Sequence, residues 1–341
     1  MSELMQVDPK TASDELLNAM WDTYSLLYEE SHPGEPMTPL AQQVADWRSE
    51  GSDVRRLVRW IVRDGEAVVA VAVVFMDMEQ NLENGFARVA VHPGHRGKGY
   101  ARMLAGPVFD TLEKEGRTRL DTWVVADSPF VSLPERLGLK AVYTSRESRL
   151  NIADLDMELM DSWIDRARER ASEYELVFYE TPLPDDVLAK YCDLVAVMNT
   201  APREDYQADD EVMTPENWRK IEDEVAGSQG HLNICIAVHK PTGEFAGYTS
   251  IKTQDLEPEA AGQWDTGVHS DHRNKGLGRW LKAANIKSVL ERYPRVERIT
   301  TDNAGSNEPM LAINIEMGFQ PLQTTKAWQG DLAPARKAFG A

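Results

Sequence analysis

The feature that most constrains this chain is a pattern that it spells twice. "HPGHRGKGYARML" (92–104) and "HSDHRNKGLGRWL" (269–281) share the spacing of an Arg, a Lys and a Gly. Each follows an alternating apolar stretch and runs into a helix-like segment. Arg96 and Arg273 lie 177 positions apart, and a second shared mark, "ERLGLKAV" against "IEMGFQPL", sets Gly138 and Gly318 180 apart. A period this long is too great for a solenoid and fits a duplicated domain with a small insertion in the second copy. The length of 341 residues agrees, because a single hydrophobic core rarely extends that far.

The coarse order of elements repeats as well. In the first copy, 13–29 and "MTPLAQQVADWRSEG" read as helices, followed by two strands joined at Asp64 and Gly65 and a third strand, "ENGFARVAV". The glycine motif, a helix to about 115, the strand "RTRLDTWVV", a short helix and the strand "KAVYTS" complete it. The second copy runs through helices in 185–198 and 215–226, strands "LNICIAVH", "EFAGYTSIK" and "AGQWDTGV", the motif, a helix, "RITTDN", the helix "NEPMLAINIEM" and the strand "KAWQ". This order predicts an α/β (α+β) chain with mainly antiparallel sheets flanked by helices. The expected division is 1–155, a helical linker at 156–174, 175–332, and a tail at 333–341.

Charge narrows the partners. A formal net charge of −19 argues against nucleic acid, since phosphate binding requires a basic face, and leaves open an attraction for cationic small molecules. Cys192 and Cys235 lack paired-ligand spacing, so neither a disulfide scaffold nor a metal site is expected. "MSELMQVDPKTASDELL" has no basic n-region and no apolar h-region, and no apolar run reaches membrane-span length. A cytoplasmic monomer or homodimer without a membrane partner is expected.

The glycine motif has a physical reading. A strand that enters R-x-x-G-x-G/A and then a helix leaves several backbone N–H groups free at the helix start, and with the helix dipole these form an anion site. Gly97 and Gly99 in one copy, and Gly276 and Gly278 in the other, let the backbone approach a bulky phosphate. Arg96, Lys98, Arg273 and Lys275 add positive charge. The dinucleotide-binding spacing and the Gly-Lys-Ser/Thr ending of phosphate loops are both absent.

On these residues both copies resemble the GNAT superfamily of N-acetyltransferases, whose mark is Arg/Gln-x-x-Gly-x-Gly/Ala. "RGKGYA" (96–101) and "RNKGLG" (273–278) fit it, and "NAGSNEPMLAINIEMGF" (303–319) fits the later N-x-x-x-N…GF mark. The second copy is similar to actinobacterial members, and the tandem layout is similar to that of mycothiol synthase. The resemblance covers nearly the whole chain. It implies a tandem duplicated acetyl-CoA N-acyltransferase fold, acetyl-CoA as cosubstrate and a small-molecule primary amine as acceptor. The implied cofactor residues are Val268, Arg273, Asn274, Lys275, Gly276, Leu277, Gly278, Arg279, Asn303 and Asn307. Their counterparts in the first copy are Val91, Arg96, Gly97, Lys98, Gly99, Tyr100 and Ala101.

Amine acetylation needs a group to take the amine's proton. The resemblance implies a carboxylate on the strand before the motif. Asp265 of "QWDTGV" fills that place, whereas "FARVAV" in the first copy has no carboxylate nearer than Glu83. The expected catalytic copy is therefore the C-terminal one, with the N-terminal copy degenerate. By alternation Asp265 faces away from Val268, so a bulge near Gly267 is expected to re-aim it. Asn314 and Pro134 stand where many family members carry a tyrosine acid. Asn303 and Asn307 read either as cofactor ligands or as helix caps. The acidic stretch 199–211 reads either as a recognition loop for a cationic amine or as a solvated loop. A non-catalytic acetyl-CoA-binding sensor or scaffold is the alternative to an enzyme.

Overall fold

A computed structural model describes residues 2–341. The first half of the chain runs β1 (Ser2–Val7), α1 (Asp14–Ser31), α2 (Leu40–Ser49), β2 (Arg55–Asp64), β3 (Ala67–Asp77), β4 (Asn84–Val91), α3 (Tyr100–Lys114), β5 (Arg119–Val125), α4 (Leu133–Arg136) and β6 (Lys140–Asn151). It continues α5 (Met157–Arg170), β7 (Tyr174–Glu180), α6 (Asp185–Val195), α7 (Pro215–Gly227), β8 (Gly230–His239), β9 (Glu244–Gln254), β10 (Ala260–Val268), α8 (Leu277–Arg292), β11 (Arg298–Ala304), α9 (Glu308–Met317), β12 (Gln320–Asp331) and α10 (Leu332–Phe339). Local chemistry sets many of these bounds. Ser13, Asp156 and Thr214 each accept a first-turn amide of the helix that follows, and Gly65, at φ +67, turns β2 into β3.

Packing divides the chain into two units. The N-terminal unit holds the residues through Ser145 together with Arg203–Asp209 and Gln323–Ala341, and the C-terminal unit holds Arg146–Pro202 and Asp210–Leu322. In the N-terminal unit the strand order is β1-β2-β3-β4-β5-β12, antiparallel except for the parallel pair β4–β5. In the C-terminal unit it is β7-β8-β9-β10-β11-β6, with β10–β11 as the parallel pair. The two orders correspond position by position.

Each sheet is covered on both faces. In the N-terminal unit α3 and α10 cover one face, with Leu104, Val108, Phe109, Leu112 and Leu332 packed against Ala70, Ala72, Val74 and Trp328. Leu17 and Met20 of α1 and Trp47 of α2 cover the other over Ile61, Val68 and Val71. In the C-terminal unit α5 and α8 lie on one face and α6 and α7 on the other, where Tyr191 and Trp218 pack on Ile234, Ile236 and Tyr248.

This division differs from contiguous domains at 1–155 and 175–332. The last strand of each repeat is exchanged. β12, from Gln323 onward, pairs with β5 along Thr325↔Val125 to Asp331↔Arg119, while the part of β6 from Arg146 onward lies beside β11. The expected linker is α5, whose Met160, Trp163 and Ala167 are buried in the C-terminal core. The expected tail is α10, whose Leu332 and Ala335 are buried and whose Phe339 packs edge-on to Phe109 at 6.2 Å. Apolar residues at helical spacing carry these segments into cores. β1 and β7 are strands that the sequence reading did not include.

Trp328 on β12 sits in the N-terminal core, 8% exposed. Trp328→Ala is expected to cost about 3–5 kcal/mol. Hydrogen exchange should accelerate in β5 and α3 and change little in β8 and β9. Acceleration confined to β10 and β11 would mean that the strand serves the C-terminal sheet instead.

Candidate active site

In both units the parallel pair is short. β4 meets β5 only from Asn84↔Arg119 to Phe86↔Asp121, and β10 meets β11 only from Ala260↔Arg298 to Gln263↔Thr301. Beyond these points the strands part, and the backbone of β4 and β10 on that side has no strand partner. In the C-terminal unit the register with β9 also shifts between Gln263 and Thr266, leaving Trp264 and Asp265 opposite the single residue Ser250. The expected bulge is therefore present, a little before Gly267. Its effect differs from the one anticipated. Thr266 shares a face with Thr249, to which its hydroxyl bonds at 2.7 Å, so alternation already turns Asp265 toward α6 and α7. The extra residue brings Trp264 onto that same face. β4 runs beside β3 in unbroken register from Phe86 to Val91.

The two turns share hydrogen bonds and backbone angles as well as sequence. Arg96 Nε donates to the carbonyl of Val91 at 3.2 Å and Arg273 Nε to that of Val268 at 3.0 Å, tying each strand end to its turn. Gly97 and Asn274 have φ of +78 and +64, and Gly99 and Gly276 both have +86. Gly99 and Gly276 are the N-caps of α3 and α8, and neither helix start has a side-chain cap. A Cβ on Gly97, Gly99 or Gly276 would meet nothing within 4 Å. The first-turn amides at Tyr100 and Ala101, and at Leu277, Gly278 and Arg279, thus border open space and suit a phosphate.

The side chains at these turns have other partners. Tyr100 and Leu277 are buried, Arg279 pairs with Glu316, and Arg96 is held by Glu30 beneath the ring of Phe130. Lys98 approaches His95 at 3.4 Å, and Lys275 donates to Tyr174 Oη at 2.7 Å. Arg273 also donates to Thr200 Oγ1 at 2.7 Å. The backbone, rather than the cations, is the part of each turn left open.

Asp265 is the centre of a polar cluster in the C-terminal unit. Tyr248 Oη donates to its Oδ2 at 3.2 Å. The residue is exposed as a whole, yet protein atoms crowd its carboxyl end, and this desolvation raises its pKa. The Tyr248 hydrogen bond acts in the opposite direction, and the charge of Glu211 raises it further. Glu211 is held in place by Asn199, whose side chain exchanges two hydrogen bonds with its backbone at 2.8 and 2.9 Å. Burial pushes the phenols of Tyr248 and Tyr191 well above their usual value, so both stay protonated. Among the described residues the buried Tyr191 hydroxyl has no hydrogen-bond partner, and its ring lies 5.4 Å from that of Tyr248 and 4.7 Å from Trp218. Glu222 fixes this wall by accepting from Trp218 Nε1 at 2.9 Å and from the Leu183 amide at 2.7 Å.

The remaining candidates divide. Asn307 caps α9, its Oδ1 accepting from the Met310 amide at 3.3 Å, while Asn303 Oδ1 accepts from buried Asn314 Nδ2 at 2.6 Å. The acidic stretch is divided between the two units. Its residues 203–209 belong to the N-terminal unit, where Glu204 accepts the Thr144 amide and Tyr206 donates to Asp121. Tyr248, Tyr191 and Glu211 escaped the sequence reading as individual site residues. In the N-terminal unit Arg88 stands as far before Arg96 as Asp265 stands before Arg273.

A sequence profile of the Acetyltransferase (GNAT) family matches residues 15–138 and, a second time, residues 195–319. The chain is similar in structure to a tandem GNAT protein from the clavulanic acid biosynthesis pathway, solved without AcCoA, with 24% identity, a TM-score of 0.77, and 97% of this chain and 99% of that chain covered. It is also similar to a GCN5-related N-acetyltransferase from Sphaerobacter thermophilus, at 14% identity and a TM-score of 0.69, covering 97% and 96% of the two chains. At these identities the likeness carries the fold. No curated protein sequence matches the chain.

The raised pKa of Asp265 has a stability consequence. The folded chain holds this proton to a higher pH than the unfolded chain does. Stability from the protonated form is present below the unfolded pKa and is lost as pH rises through the raised folded value. Asp265→Asn is expected to melt above the parent at neutral pH and to match it near about pH 3, below the ordinary aspartate range. Melting curves at the two pH values check this, and a variant less stable than the parent at pH 7 contradicts it.

Proposed function

This chain belongs to the GNAT acetyltransferase family, and on that premise we propose that its C-terminal unit moves an acetyl group from acetyl-CoA to the primary amine of a small cationic molecule. The observation that carries the reading is the cluster of Asp265, Glu211 and Tyr248 beside the parted strands β10 and β11. Two carboxylates in a crowded cleft attract an ammonium group and hold it at the mouth of the split. Asp265, whose pKa is raised by desolvation, takes the proton that the nucleophile must lose. Tyr248 keeps the carboxylate oriented with a single hydrogen bond. Trp264, placed on the same face by the bulge and 41% exposed, supplies an apolar wall for the acceptor.

Acetyl-CoA, when bound, supplies the activated acetyl group. The amides from Gly276 to Arg279 would hold its pyrophosphate, and the unpaired edge of β10 up to Val268 would hold its arm as an added strand. Gly97 to Ala101 and the edge of β4 offer the same fittings in the N-terminal unit. There Arg88 would repel a cationic acceptor, so that unit serves as a partner without turnover of this substrate.

A second reading, an acetyl-CoA-binding protein without turnover, is favoured by Asn314. It stands where a tyrosine acid is usual and its amide is committed to Asn303. Free thiol release from acetyl-CoA over a panel of diamines and amino sugars separates the two. Asp265→Asn is expected to lower the rate by roughly 10²- to 10⁴-fold with acetyl-CoA binding intact, and Glu83→Gln to change little. Near-normal turnover in Asp265→Asn would remove the base from this carboxylate.

Gly276→Ala tests the cofactor placement. The left-handed φ of +86 puts strain of about 1 kcal/mol on any residue with a Cβ, and the methyl projects into the space left for phosphate. A folded Gly276→Ala chain should bind acetyl-CoA more weakly by calorimetry. Unchanged affinity would move the pyrophosphate elsewhere.

A further inference from the structure

The N-terminal unit carries, on the face of its sheet toward α1 and α2, a recess of the opposite charge. Three rows cross β2, β3 and β4 there: Ile61–Val71–Ala90, Arg59–Val73–Arg88 and Leu57–Phe75–Phe86. Alternation puts the members of all three rows on one face. Ile61 and Val71 are buried under Leu17, Met20 and Trp47. The other two rows extend past that cover, leaving Leu57, Val73, Phe75 and Phe86 half-buried and Arg88 exposed.

The two arginines in this floor are differently provided for. Arg59 is 7% exposed and ion-paired with Glu50, but its buried Nε has no hydrogen-bond partner. Among the described residues nothing hydrogen-bonds or pairs with Arg88. Both charges act on the phenol of Tyr24, where they oppose the larger upward effect of burial on its pKa. Tyr24 itself stacks at a tilt on Trp47, with ring centroids 5.2 Å apart. A buried guanidinium donor left unpaired is costly, and an acceptor supplied by a ligand relieves that cost.

We propose that this recess binds a small monocarboxylate, with the carboxylate on Arg88 beside Arg59 and the apolar body on Val73, Phe75 and Phe86. Charge balance selects the class. Glu50 neutralises Arg59, so one net positive charge remains, which matches a monoanion rather than a phosphate dianion. The half-open apolar floor selects a ligand with a hydrocarbon or aryl body. Guanidinium and carboxylate pair through two parallel hydrogen bonds, so the planar acid group is also the better geometric match.

Calorimetry on the full chain tests this with 3-phenylpropionate and its neutral counterpart 3-phenylpropanamide. The acid should bind and the amide should bind at least about 10-fold more weakly. Arg88→Gln should weaken the acid by about 10- to 100-fold, leaving the amide unchanged, and Arg88→Lys should restore part of the loss. Arg88 is exposed, so the variant should melt with the parent. Asp265→Asn should leave the acid's affinity as it was, which assigns the binding to the N-terminal unit. The proposal fails if acid and amide bind alike, or if the acid's affinity survives Arg88→Gln. It fails equally if phenylpropionate, benzoate and butyrate all give no heat, or if inorganic phosphate binds more tightly than any of them in an Arg88-dependent way.

Discussion

A parallel pair inside an otherwise antiparallel sheet cannot be closed by a hairpin, and it requires a crossover helix. In this chain α3 and α8 are those crossovers, and the rest of each site follows from how they begin. The chain must leave the end of β4 or β10, reverse, and start a helix across the sheet within a few residues. Gly99 and Gly276 do this in the left-handed region, and an arginine clamps the strand's last carbonyl. The parallel pair then separates after three or four residue pairs, so a row of strand backbone and a helix start both face the same gap. The architecture leaves unpaired backbone donors at that gap before any side chain is considered.

With that scaffold shared, side chains differentiate the two units. Asp265 and Glu211 place carboxylates in the C-terminal unit, and Arg88 leaves one net positive charge at the matching N-terminal surface, where Glu50 neutralises Arg59. The bulge sharpens the contrast. β10 has it and shows two consecutive residues, Trp264 and Asp265, to one face, whereas β4 keeps even register and alternates Arg88 with small or apolar neighbours. The two units share the backbone apparatus and differ in the charge they carry beside it.

Much of this was legible in the sequence because it is local. The glycine turns, the strand before each and the helix after each follow from spacing and residue type, whereas the bulge was expected in order to re-aim Asp265 and instead brings Trp264 onto the face that Asp265 already shares. What escaped is non-local. β6 and β12 have the same local pattern, and nothing within either strand says which sheet it joins, so the exchange was invisible. α10 is a short amphipathic segment that reads as a tail until the surface it covers is known. Tyr191 and Tyr248 look like core aromatics by period, and they are buried. The Tyr248 hydroxyl matters because the pairing of β9 with β10 brings Asp265 alongside it.

The exchanged strand also bears on the order in which the molecule can be made. β5 emerges from the ribosome early, but its partner on one edge is β12, roughly two hundred residues later. At about 5–20 residues per second, that edge waits on the order of ten to forty seconds. For that interval the nascent N-terminal sheet presents an open strand edge and lacks Trp328 and α10 from its core, the condition under which chains pair wrongly with one another. Synthesis from the N-terminus therefore cannot finish the N-terminal unit first. Its completion waits for β12, which is made after the β8–β9 hairpin and α8 of the C-terminal unit.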